Sequence, residues 1–153
     1  KVVLREPAIW WRSVQIDLGS RDGLRVNLPV VTMDGLVGRI ASVGLTRSQV
    51  VLLGDPNCKV AARVENEARD TGVVGASGPL ETELIVLSYL SRNANLKPAQ
   101  GVVTSGEGGI FPEGIPIGKI VDAQPVEYGS RIEARVKLAA NLGALEEVWV
   151  MFP

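Results

Sequence analysis

The stretch of this 153-residue chain closest to a nucleophile loop is Thr104-Ser105-Gly106-Glu107-Gly108-Gly109. A serine that attacks a carbonyl needs a base to take its proton, ordinarily an imidazole. The chain contains no histidine, and no lysine follows a serine by three positions, so the Ser-x-x-Lys substitute is missing too. Ser105 therefore reads as a turn residue. Gly118-Lys119 ends a near-match to a phosphate loop. In G-x-x-x-x-G-K-[ST], however, the first glycine would fall on Glu113 and the closing hydroxyl on Ile120. Those glycines serve turns, stiffened by Pro112 and Pro116.

Paired carboxylates fare no better. Glu146 and Glu147 are adjacent, so extended backbone turns them to opposite faces. Glu81 and Glu83 could share a face but flank the Gly78-Pro79 turn. With no histidine and one cysteine, Cys58, neither a zinc site nor an internal disulfide is expected. No D-x-[DN]-x-[DN]-G run offers Ca²⁺ an oxygen site. The expectation is no catalytic residue, no metal and no cofactor. Two aromatic or apolar pairs remain. Trp10-Trp11 must turn one indole outward if extended, and Ile110-Phe111 sits at the tip of a long Gly/Pro-rich loop. Trp10, Trp11, Ile110 and Phe111 are the candidate protein-interface residues, with burial as their alternative role.

Composition fixes what must position these groups. Apolar residues make up 46% and charged residues 22%, the balance of a folded chain. Sixteen Lys and Arg against 17 Asp and Glu leave a net charge of -1, with no global field to gather nucleic-acid phosphates. Aromatics are only 5%, while 17 glycines and 9 prolines punctuate Val, Ile and Leu runs, which suits short strands and tight turns. No segment approaches the roughly 20 apolar residues of a membrane helix. Arg5, Glu6 and Pro7 interrupt the start too early for a signal peptide.

Period-two patterning predicts strands at 14–18, 29–32, 36–43, 49–53, 59–65, 71–76, 83–89, 101–104, 117–123, 131–138 and 147–152. Segment 131–138 alternates most cleanly, with Ile132, Ala134, Val136 and Leu138 against Arg131, Glu133, Arg135 and Lys137. Asp22-Gly23 and Asp34-Gly35 carry hairpin chemistry. One short helical turn is expected between Leu142 and Glu146.

The order of these pieces recurs. Residues 24–32 resemble 96–104, Val37-Gly38-Arg39-Ile40 resembles Ile117-Gly118-Lys119-Ile120, and 49–53 corresponds to 131–138. Two copies point to duplication of one small β unit. Small β units close into barrels to hide their edges. The expected fold is all-β: two small antiparallel β-barrels arising from a duplicated unit, with little helix. The first is expected over 1–62, with a strand from 140–153 as the candidate to complete it, and the second over 63–153.

Taken in order, several segments resemble the extracytoplasmic domain of the MreC rod shape-determining family. They are Trp10 to Gly23, Pro29-Val30-Val31-Thr32, Gly35 to Ile40, Leu52 to Asn57, Val102 to Gly106 and Gly109 to Gly118. The resemblance implies paired β-barrels and a periplasmic or extracellular place. It also implies a single N-terminal membrane helix and a dimerising coiled coil ahead of Lys1, neither of which is in this chain. It further implies a non-catalytic scaffold of cell-wall elongation that maintains cell shape. Its implied partners are a class B penicillin-binding protein (transpeptidase), MreD and RodA, with self-association to a dimer or filament. From another class, a degenerate double-barrel serine hydrolase acting on peptide or peptidoglycan is the alternative.

Overall fold

Alternation along 131–138 becomes a strand with one buried face. Ala134, Val136 and Leu138 are buried and Ile132 partly so, while Arg131, Arg135 and Lys137 face solvent. The computed structural model describes residues 2–5, 13–55, 57–75, 84–91, 93–142 and 145–152. Among them the strands in chain order are β1 (Val2–Arg5), β2 (Ser13–Ile16), β3 (Pro29–Val31) and β4 (Leu36–Val43). They continue with β5 (Ser48–Leu52), β6 (Val60–Val64), β7 (Thr71–Gly75) and β8 (Leu84–Ser91). The last four are β9 (Gly101–Thr104), β10 (Pro116–Val126), β11 (Arg131–Leu138) and β12 (Trp149–Val150). Among the described residues, helix is confined to single 3₁₀ turns such as Ser20–Asp22.

Two antiparallel sheets result. The first has the order β1-β2-β5-β4-β3-β12 and curls into a half-barrel. The second, β10-β11-β8-β7-β6-β9, closes on itself. Closure removes edge strands with their unpaired backbone groups. At the corresponding seam of the first sheet the Val2 N–H donates to the Glu146 carbonyl at 3.0 Å, just ahead of β12. Residue 62, the expected end of the first barrel, lies inside β6, which pairs with β7 and β9. The C-terminal β12 pairs with β3.

The duplication extends to individual backbone bonds. β3-β4-β5 and β9-β10-β11 are antiparallel meanders, joined through β5 to β2 and through β11 to β8. In each, a bulge interrupts the second strand at the same place: Val30 pairs with Gly38 and Val31 with Leu36, as Val102 pairs with Gly118 and Val103 with Pro116. A second bulge follows Ile40 in one unit and Ile120 in the other. The Asn27 N–H donates to Ile40 O and the Ala99 N–H to Ile120 O, both at 2.8 Å. Asn27 and Ala99 share a left-handed backbone, with φ of 74° and 71°. Repeated bulges sharpen the strand bend at the same corner of both units.

Val60, Ala62, Val64, Val74, Ile85, Leu87, Ile117 and Val136 are fully buried, and they join Val14, Ile16, Leu36 and Ile40 of the first sheet in one apolar cluster. Burying a side chain of this size contributes about 1.5–3 kcal/mol, so the shared cluster is what holds the two units together.

Three expectations meet local differences. β1 carries no period-two signal, yet it flanks β2. Asp22-Gly23 closes a 3₁₀ turn with Gly23 at φ 87° rather than a hairpin, because β2 pairs with β5 and β1 and not with the next strand. Asp34-Gly35 does form the β3–β4 hairpin, with the Thr32 N–H donating to Gly35 O at 2.9 Å. The helical turn expected at 142–146 falls partly on residues 143 and 144, outside the described residues.

Candidate protein-binding cleft

β9 ends at Thr104, and the loop beyond it is fixed by that one side chain. The Thr104 hydroxyl, completely buried, donates to Pro112 O at 2.5 Å and accepts the Ile115 N–H at 2.8 Å. The backbone adds Thr104 N–H to Ile115 O and Gly114 N–H to Thr104 O, both 2.9 Å. Residues 105–114 are thereby closed into a compact loop. Phe111 drops from it into the core at 5% exposure. Glu113 accepts a 2.5 Å bond from the Arg63 guanidinium on β6, with Arg69 at 3.7 Å. The Arg63 hydrogen bond and charge, assisted by Arg69, hold the Glu113 carboxyl below its ordinary value of 4.5.

Beside this loop the two units meet at a cleft of about 830 Å³. The first unit supplies Arg25, Val26 and Leu28, the loop supplies Ile110 and Phe111, and the C-terminal segment supplies Phe152. Val26 and Phe152 are 53% exposed and Ile110 is 39% exposed, so three large apolar side chains from three distant segments stand together and open to solvent. Arg25, Glu107 and Glu113 add one positive and two negative charges. Clustered exposed apolar groups with polar residues around them mark an interaction surface, whereas single ones do not.

Of the residues singled out in the sequence, Ile110 lines this cleft from an exposed position and Phe111 from a buried one. Phe111 does not present itself at the loop tip; its ring fixes the loop from beneath, because the Thr104 bonds fold the loop back onto the barrel. Trp10 and Trp11 lie outside the described residues. Val26 and Phe152 escaped sequence reasoning, since neither sits in a motif and only the fold brings them to Ile110. Ser105 behaves as a turn residue, its hydroxyl accepting the Glu107 N–H at 3.3 Å. Cys58 is fully buried. Burial pushes its thiol up to about 12, with Arg39 lowering it and Asp55 raising it further. A thiol so buried and so far from ionisation carries little thiolate near neutral pH.

The fold and site define a class: a duplicated double-β-barrel module whose assembled feature is an apolar cleft between its units. The family follows from comparison. The model of the rod shape-determining protein MreC, barrel core, matches residues 2–152, and the chain belongs to this family. The cell shape-determining protein MreC of Listeria monocytogenes is 34% identical over 152 residues, covering 98% of this chain and 51% of that protein. The protein of the same name from Cereibacter sphaeroides is 34% identical over 140 residues, covering 92% of this chain and 43% of the relative. The chain thus spans about half the length of the curated relatives it matches. The solved Listeria MreC structure superposes with a TM-score of 0.88 at 34% identity, covering 96% of this chain and 70% of that one. A complex between penicillin-binding protein PBP2 and MreC from Helicobacter pylori has the same fold, with a TM-score of 0.71 at 17% identity, covering 94% of this chain and 87% of that one.

Proposed function

We propose that the chain is the barrel part of a non-catalytic scaffold for cell-wall elongation, maintaining cell shape by holding a peptidoglycan-synthesising enzyme. The observation that carries this reading is the cleft, where Val26, Ile110 and Phe152 form an exposed apolar cluster. The partner is a class B penicillin-binding protein, a chemistry supported by the Helicobacter relative, which was solved in a complex with PBP2. MreD, RodA and a second copy of the chain complete the proposed assembly. The domain works outside the cytoplasmic membrane, tethered by an N-terminal helix; a relative's structure is described as a major periplasmic domain.

The chain's role is binding rather than turnover, in keeping with a sequence that lacks histidine and with the turn geometry of Ser105. Calorimetric titration with the ectodomain of a class B penicillin-binding protein tests the reading. Saturable binding is expected, and its absence, also with a dimerising coiled coil fused ahead of the chain, contradicts it.

A further inference from the structure

A second concavity, of about 570 Å³, lies at the rim of the closed barrel. The β6–β7 turn brings Arg69, Asp70 and Thr71 to it, the end of β8 brings Tyr89 and Ser91, and the start of β11 brings Ser130 and Arg131. Its character is opposite to that of the cleft: two guanidiniums, one carboxylate, hydroxyls and a single aromatic ring. The Asp70 carboxylate is engaged by the Asn66 amide at 2.8 Å, and the Arg69 guanidinium, on a side chain 66% exposed, lies 3.7 Å from the Glu113 carboxylate.

Tyr89 is the unusual member. Leu90 pairs with Ile132 and Leu87 with Ala134, so Ser88 and Tyr89 stand opposite the single Glu133 in a bulge. Tyr89 takes the left-handed conformation there, φ 63°, where glycine is the relaxed choice for such a bulge. The strain brings no core packing, because Tyr89 is 62% exposed. Tyr89 lines the groove instead, with the Arg131 guanidinium 5.0 Å from its ring centroid. Arg69 is likewise left-handed, φ 53°. Backbone strain without a folding return is characteristic of positions held for a ligand.

We infer that this groove binds an acidic saccharide, a sugar bearing a carboxylate, through the juxtaposition of the Tyr89 ring with the Arg69 and Arg131 guanidiniums and the Thr71, Ser91 and Ser130 hydroxyls. The apolar face of a pyranose ring lies on an aromatic side chain. Its hydroxyls exchange hydrogen bonds with Ser, Thr and Asp, and its carboxylate matches the guanidinium fork. β8 pairs with β7 from Val86 to Ser88 and with β11 as far as Ser91, and a peptide occupant is separated by the tetraglutamate arm of the test. A nucleic-acid strand is disfavoured by the single ring and the net charge of -1.

The test is an amide-shift titration of the chain with a hyaluronan tetrasaccharide, with neutral chitotetraose and with tetraglutamate. The acidic sugar is expected to move the Tyr89, Ser91 and Arg131 amides and to bind at least about tenfold tighter than chitotetraose, the effect of one charge-assisted contact. Arg131→Ala should remove that advantage. Tyr89→Gly should abolish binding while raising the melting temperature, an outcome that a merely structural tyrosine would not give. Equal binding of the neutral sugar overturns the proposal, as does equally tight tetraglutamate binding at these amides or the absence of shifts. These variants leave Val26, Ile110 and Phe152 untouched, so failure here is separable from failure of the scaffold reading.

Discussion

Gly38 and Gly118 hold the same place in the two halves of the molecule, each paired with a valine of the preceding strand beside a bulge and each pressed against a backbone carbonyl of the following strand. A Cβ on Gly38 would meet Val51 O, and one on Gly118 would meet Lys137 O, both well inside the 3.0 Å that real Cβ atoms keep. The strands cross too closely at these corners for any side chain, which explains why glycine precedes the basic residue and isoleucine in both copies.

Alanine at either glycine should therefore displace backbone rather than a flexible side chain. Gly38→Ala and Gly118→Ala are each expected to destabilise by about 3 kcal/mol, the upper part of the usual overpacking range. Gly75→Ala on β7, where a Cβ meets nothing within 4 Å, is the control and should change stability by under about 1 kcal/mol. Urea midpoints with unchanged slope measure both.

Thr104→Val keeps the shape of the buried side chain but removes the hydroxyl that serves Pro112 O and Ile115 N–H. Leaving buried polar groups unpaired costs about 1–3 kcal/mol. Hydrogen exchange at the Ile115 and Gly114 amides should accelerate more than at core amides such as Ile85, because the loss is local to the loop.

The Glu113–Arg63 pair gives a pH signature with a definite sign. The folded-state value of Glu113 is depressed, so its contribution is fully present above the unfolded value near 4.5 and is lost as pH falls through the lower folded value. Melting temperatures of the wild type and Glu113→Gln should differ by a constant amount above about pH 5.5 and converge on further acidification. A difference that persists unchanged at about pH 2 would separate Glu113 from the effect.

Cys58 should be silent to thiol reagents in the native state. With the thiol raised to about 12 and fully buried, the reactive thiolate is scarce and enclosed. Labelling is expected to keep pace with unfolding across a urea series, reaching one equivalent only in the unfolded chain.

Much of the architecture was legible because the two units keep the residues their corners require. Gly38-Arg39-Ile40 and Gly118-Lys119-Ile120 exposed the duplication, and strict alternation at 131–138 exposed a half-buried strand. What stayed hidden was non-local. Nothing in Val2–Arg5 says that it will pair with β2, and turn chemistry at Asp22-Gly23 could not reveal that β2 skips to β5. Ile110-Phe111 showed a choice between surface and core, and only the Thr104 bonds turn Phe111 inward. Tyr89 sits in a strand pattern with no glycine to announce its left-handed backbone. The cleft joins residues from near 26, near 110 and at 152, so its apolar surface exists only after folding.

The proposed scaffold role takes the cleft as the docking surface for a class B penicillin-binding protein. The decisive quantity is the affinity of that ectodomain for the chain carrying Val26→Asp and Ile110→Asp together. Both side chains are exposed, so the melting temperature should move by no more than a few degrees, about 1 kcal/mol. Charge placed at the centre of an apolar contact should weaken binding at least about tenfold. Unchanged affinity in a folded double variant would contradict docking at the cleft and move the contact elsewhere on the molecule.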